Sequence, residues 1–222
     1  MNNLNKLIDH TLLKPEASTA QIETLCNEAR QYDFASVMVN SSNVRQCYEL
    51  LKDTDVKIAT VIGFPLGAMS TKAKIEETRA ALQDGANEID MVLNIGRLKE
   101  GKLDYVTSEI RDLKELVGEN IVLKVIIETC LLTEEDKINA CHCVSEAKAD
   151  FIKTSTGFST GGATVEDVAL LRKYVDASVK VKASGGVRSF EDLVLMVEAG
   201  AERIGTSSGV KLVQGENVEG SY

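Results

Sequence analysis

Short runs of β-branched and other apolar residues recur along the whole chain, near Leu7–Thr11, Ala35–Val39, Lys57–Ile62, Glu88–Leu93, Ile121–Ile127, Asp150–Lys153, Val179–Ala183 and Arg203–Gly205. Between them, apolar positions fall at helical spacing, so strand and helix alternate. Most of the helical segments open on an N-cap. Ser18 with Gln21 three residues on forms a capping box, and Ser70, Thr133, Thr164 and Ser189 begin other helices. Asp136, Asp167 and Asp192 follow the last three caps at the same spacing, where a carboxylate also complements the helix dipole. Gly85, Gly118 and Gly200 stand where helices close on a left-handed residue. Eight strand–helix units in about 220 residues is the arithmetic of a (β/α)8 TIM barrel. An open, doubly wound α/β sheet gives the same alternation and is the rival. Two features favour the barrel: no G-x-G-x-x-G follows the first strand, and several runs carry polar residues at their C-terminal ends. The polar first run is the weakest of the eight.

The 222 residues contain no Pro/Gly/Ser-rich linker or long charge run, so residues 1–222 read as one domain, with a tail expected from about residue 210. A chain of this size buries roughly 70–75% of its unfolded surface and needs no staples. Its net charge of -9 counts against a nucleic-acid partner, which demands many cations against phosphate. No apolar stretch approaches the ~20 residues of a membrane span, and the start Met1-Asn2-Asn3-Leu4-Asn5-Lys6 lacks a secretory core. A cytoplasmic protein is the expectation. Five cysteines, at 26, 47, 130, 141 and 143, are odd in number and include no C-x-x-C, so they read as free thiols. Cys141-His142-Cys143 is a poor metal site, because helical neighbours two apart face different ways. With only His10 and His142, imidazole chemistry has little to draw on.

Catalytic groups of a barrel collect at the C-terminal ends of its strands. Those ends offer Asp9, Asp90, Glu128 with Cys130, Lys153 and Lys182. A lysine closing an apolar run is costly unless its charge is paired or used. Lys153 and Lys182 close neighbouring runs, and two ammonium groups at one mouth repel, so the least costly relief is for one to lose its proton. A neutral lysine in a partly dry pocket attacks carbonyls to form an imine. A lone lysine would more simply tie strands together through a carboxylate; two beside an aspartate point to chemistry. Lys124, in mid-run, and Lys180, on the same face as Lys182, read as interior ion-pair partners. Three loops of small residues follow runs six, seven and eight: Thr154-Ser155-Thr156-Gly157, Ser184-Gly185-Gly186-Val187 and Gly205-Thr206-Ser207-Ser208-Gly209. Converging at one end, their backbone N–H groups suit an anion such as phosphate. Gly63-Phe64-Pro65-Leu66-Gly67 reads as a rigid turn, Cys130 as a bystander thiol, and Cys141, His142 and Cys143 as packing or surface residues.

Several of these stretches together resemble the deoxyribose-phosphate aldolase family: Leu7-Ile8-Asp9-His10-Thr11-Leu12-Leu13-Lys14-Pro15, Glu88-Ile89-Asp90-Met91-Val92, Phe151-Ile152-Lys153-Thr154-Ser155-Thr156-Gly157, Lys182-Ala183-Ser184-Gly185-Gly186-Val187-Arg188 and Arg203-Ile204-Gly205-Thr206-Ser207-Ser208-Gly209. The likeness runs in order from about Leu7 to Gly209. It implies a metal-free, cofactor-free class I aldolase that interconverts 2-deoxy-D-ribose 5-phosphate with glyceraldehyde 3-phosphate and acetaldehyde, in deoxyribonucleoside breakdown. By resemblance Lys153 forms the imine, Lys182 keeps it neutral and Asp90 belongs to a proton relay with a water. Asp9, Thr11 and Thr156 would bind substrate, and Gly157, Gly185, Gly186, Gly205, Ser207 and Ser208 would hold its phosphate. The terminal Tyr222 matches a tyrosine that assists proton transfer in the family; an incidental tail residue is the alternative. One departure is Met38, where the family carries a cysteine that is not the nucleophile; activity is expected to survive, without that thiol's reactivity toward aldehydes. Homodimerisation through outer helices is a further expectation. Another lysine aldolase with a different phosphorylated substrate, or a sugar-phosphate sensor without turnover, remain as rivals.

Overall fold

The computed structural model describes residues 4–216. Eight parallel strands close on themselves in chain order: β1 (Ile8–Leu12), β2 (Ser36–Val39), β3 (Lys57–Ile62), β4 (Glu88–Val92), β5 (Val122–Ile126), β6 (Phe151–Lys153), β7 (Lys180–Ser184) and β8 (Ala201–Thr206), with β8 hydrogen-bonded back to β1. This is a (β/α)8 barrel, and closure eliminates the open sheet. The polar first run is a true strand, because both of its edges are paired. The helices are α1 (Thr19–Gln31), α2 (Val44–Leu51), α3 (Thr71–Gln83), α4 (Ile95–Lys99), α5 (Leu103–Val117), α6 (Glu134–Glu146), α7 (Val165–Tyr174), α8 (Phe190–Glu198) and α9 (Gly209–Val213). None of them is long and apolar enough to cross a membrane.

Each expected N-cap is in place. Ser18, Thr133 and Ser189 close reciprocal capping boxes with Gln21, Asp136 and Asp192. Thr164 caps α7 through its side chain alone, and Asp167 spends its carboxylate on Lys137 at 2.5 Å instead. Two helices join β4 to β5 where one was expected, because Asn94 caps the short α4 and Gly101, with φ +71°, breaks the chain before α5. The expected tail from residue 210 begins as structure: α9 is anchored by a fully buried Leu212, and Gln214 donates to the Tyr32 hydroxyl at 2.7 Å. Tyr222 lies outside the described residues.

Two interiors result. Between strands and helices lies a continuous aliphatic shell that includes Ile89, Ile110, Leu113, Leu123, Ile152 and Val181, all fully buried. Inside the barrel the lower lumen is charged. Only Lys153 among the candidate groups ends its strand; Asp9, Asp90 and Lys182 sit inside theirs, because strand alternation turns them into the lumen. Lys180 is no interior partner. As the first residue of β7 it lies at the N-terminal rim, half exposed, 4.0 Å from Glu202 and over the Phe151 ring.

Candidate active site

The lumen's charges form one connected network. Asp90 lies opposite Lys124 in the β4–β5 register, as Lys153 does opposite Lys182 in β6–β7. Asp90 Oδ2 accepts from Lys153 Nζ at 2.9 Å and from Lys182 Nζ at 2.7 Å, while Oδ1 accepts from Lys124 at 2.9 Å. Lys182 also donates to Asp9, whose other oxygen accepts from Arg203 and from the Ser36 hydroxyl, both at 2.6 Å. Glu88 closes the base of the network, taking Lys124 at 2.6 Å and Arg203 at 3.0 Å. Three carboxylates thus face three lysines and an arginine. Charge balances only when one cation is neutral.

The environment selects which. Burial lowers Lys153, the Lys182 ammonium lowers it further, and Asp90 opposes both; the balance is a pKa pushed down to about 8. Burial is the larger cause, so like-charge crowding contributes second. Lys124 goes the other way: burial disfavours its charge, but Asp90, Glu88 and Asp9 outweigh that and raise it. Burial alone would raise Asp90, yet Lys124, Lys182 and Lys153 hold its carboxyl well below the usual range. The same contest keeps Asp9 ionised, through Arg203, Lys182 and Lys124. A fixed anion therefore sits beside one amine that loses its proton near neutrality.

Above this network opens a cleft of about 700 Å³ at the C-terminal mouth. Its wall includes Thr11, Gly157, Gly185, Gly186, Ser207 and Ser208, six of the residues read from the sequence. Lys153, 3% exposed, is not among its lining residues but ends β6 just before the loop whose Gly157 is one of them. The small-residue loops after β6 and β7 are stitched together: Ser184 donates from its hydroxyl to Ser155 O at 2.6 Å, and Ala163 N donates to Ser184 O and Gly185 O. Gly162 permits that contact, because a Cβ there would come within 2.6 Å of Gly185 backbone.

Three candidates fall elsewhere. Asp9 is fully buried, with Lys182, Arg203 and Ser36 occupying its carboxylate, so it holds the lysine rather than lining the cleft. Thr156 is buried in its loop, donating from Oγ1 to Glu128 and accepting from Phe158 N at 3.0 Å. Gly205 makes room: an added Cβ would lie 3.2 Å from Lys182 Cε and 3.0 Å from Ser184 Cβ. Sequence reading passed over three groups that the cleft includes, the cations Lys14, Arg188 and Lys211. Lys14 and Arg188 sit inside the quoted motifs, and their loop positions were the available signal. Glu128 holds a left-handed backbone, φ +57°, while its carboxylate grips Thr156. Cys130 is exposed beside Ser159; Cys141 and Cys143 are buried in α6, with His142 on its outer face.

Comparison with known proteins accords with this geometry. A protein named deoxyribose-phosphate aldolase from Brevibacillus brevis is 59% identical over 219 residues, covering 99% of each chain. One of the same name from a Geobacillus strain is 56% identical, covering 100% of this chain and 99% of its own. The tetrameric deoxyribose phosphate aldolase structure from Aeropyrum pernix superposes with a TM-score of 0.89 at 35% identity, over 95% of this chain and 89% of that one. The family model for DeoC/LacD aldolases matches residues 4–215. An ionised aspartate, a lysine poised to lose its proton and full-length kinship together place this chain in the DeoC/LacD aldolase family, as a carbon–carbon lyase.

Proposed function

We propose that the protein cleaves 2-deoxy-D-ribose 5-phosphate reversibly to glyceraldehyde 3-phosphate and acetaldehyde through an imine on Lys153. The observation that carries this reading is the amine at about pKa 8 hydrogen-bonded to a permanently ionised Asp90. At pH 7 roughly one Lys153 in ten is then neutral.

Neutral Nζ attacks the aldehyde carbon of the open-chain sugar, and loss of water leaves a protonated imine. That cation draws electrons from the neighbouring bond. The relay of Asp90, Lys182 and a water takes the proton of the C3 hydroxyl; the C2–C3 bond breaks and its electron pair passes into an enamine. C3 leaves as the aldehyde of glyceraldehyde 3-phosphate. The relay then returns a proton to C2, and water hydrolyses the imine to acetaldehyde and free lysine. The phosphate end is assigned to the cleft wall of Gly157, Gly185, Gly186, Ser207 and Ser208, with Lys14, Arg188 and Lys211 offsetting an unfavourable net charge. The setting we infer is deoxyribonucleoside breakdown in the cytoplasm, by a self-associating enzyme.

Reduction with borohydride in the presence of acetaldehyde tests the reading. An ethyl adduct should map to Lys153 and be absent from Lys153→Ala. An adduct confined to another lysine, or none, contradicts it.

A further inference from the structure

Higher in the lumen the chemistry changes sides. Leu13, Met38, Ala59 and Val61 form a small buried apolar cluster, separate from the aliphatic shell, with Phe64 packed on it. Strand register fixes where it lies. Thr11 pairs with Met38, Met38 with Ala59, and Val61 with Asp90, the aspartate that holds both lysines. Alternation along β2 puts Met38 on the same face as Ser36, whose hydroxyl reaches Asp9 in the lumen. The β1–β3 side of the lumen is therefore an apolar wall facing the amine from across the barrel. Every side chain in it lacks a hydrogen-bonding group except for the weak thioether of Met38. The nearby Thr11 hydroxyl already donates to Asp9 O at 2.9 Å.

A sugar phosphate held by the β6–β8 loops has its phosphate end on one side of the mouth. Its imine carbon and the next carbon, C2, are then left against the opposite wall. Resting on the aldolase reading above, we propose that Leu13, Met38, Ala59 and Val61 form the specificity wall for C2, selecting a substrate with no oxygen on the carbon next to the imine. A hydroxyl at C2 would be buried against this wall without a partner, which disfavours it. An apolar surface rejects an added hydroxyl by only about 10²-fold, so discrimination of that order is expected and no more.

The test compares two substrate pairs in the full-length enzyme. The first is kcat/KM for 2-deoxyribose 5-phosphate against ribose 5-phosphate. The second is the rate of borohydride trapping by acetaldehyde against glycolaldehyde, which needs neither phosphate nor cleavage. The near-isosteric Val61→Thr supplies a hydroxyl on the wall, and Met38→Gln supplies an amide should the first variant fail to fold. Each should cut the preference for the deoxygenated partner in both pairs about tenfold, chiefly by improving the hydroxylated one. A wild type that lacks the preference overturns the wall, as do folded variants in which both ratios stay put. If the wild type neither cleaves deoxyribose 5-phosphate nor is trapped by acetaldehyde, the aldolase reading falls and the wall with it. If it does both and only the ratios stay put, the wall alone fails.

Discussion

The shell between strands and helices and the lumen inside the strands are built from opposite materials. In the shell Ile89, Leu113, Leu123 and Ile152 interlock without polar atoms, and burial of such side chains supplies the stability of the fold. Barrels of this architecture commonly fill the lumen with branched apolar layers as well. Here the lower lumen holds Asp9, Glu88, Asp90, Lys124, Lys182 and Arg203 in mutual ion pairs. Buried ion pairs rarely outdo apolar packing, since desolvation offsets the attraction. The lumen network is better understood as an electrostatic device. It fixes an anion beside an amine, and burial tips that amine toward neutrality.

Substitutions on the two sides should separate cleanly. Lys153→Ala is expected to abolish deoxyribose 5-phosphate cleavage, a loss of at least about 10⁴-fold in kcat. The fold should be as stable as wild type or more so, because a strained charge is removed; activity assay and thermal melts together decide this. Lys182→Met should damage both properties. It leaves Asp9 and Asp90 each short of a cation, a cost of about 3–5 kcal/mol in denaturant unfolding, and it disturbs the relay, lowering kcat at least about 100-fold. Leu113→Ala, in the shell on α5, should cost about 2–5 kcal/mol with kcat per folded molecule unchanged. Removing the α8 cap with Ser189→Ala should cost about 1 kcal/mol and leave kinetics alone. A shell variant that lowers kcat as steeply as Lys182→Met would break the division between the two interiors.

The sign of the pH response follows from the lowered lysine. Below its pKa Lys153 is protonated and cannot attack, so kcat/KM should rise through about pH 8, by roughly tenfold between pH 7 and pH 9. Stability should move the same way. The unfolded lysine, near its ordinary 10.5, holds its proton over a window in which the folded one has released it, so the fold gains stability as pH rises from about 8 toward 10.5.

Much of this arrangement is legible in the chain because local rules agree with the global fold. Eight apolar runs, capping residues such as Ser18 and Thr133, and the three small-residue loops announce the barrel and its mouth. Lys153 and Asp90 stand out because charge inside an apolar run demands a reason. The misreadings share one physical cause: a run's end in sequence does not say how deep a side chain sits in the closed lumen. Asp9 looks like a mouth residue and is a buried counter-ion; Lys180 looks interior and is at the wet rim. Gly205, read from the sequence as a phosphate-loop residue, also provides space for Lys182, which only the closed lumen reveals. These assignments depend on register and closure, which periodicity alone does not encode.

The most direct measurement is the titration of Lys153 itself, followed by nitrogen-15 NMR of Nζ-labelled lysine in the free enzyme and assigned with a Lys153→Arg variant. A midpoint near 8 is the result expected from a buried amine beside a second ammonium. A midpoint near the ordinary 10.5 would contradict the account, because the lumen would then have no neutral nucleophile to offer at physiological pH.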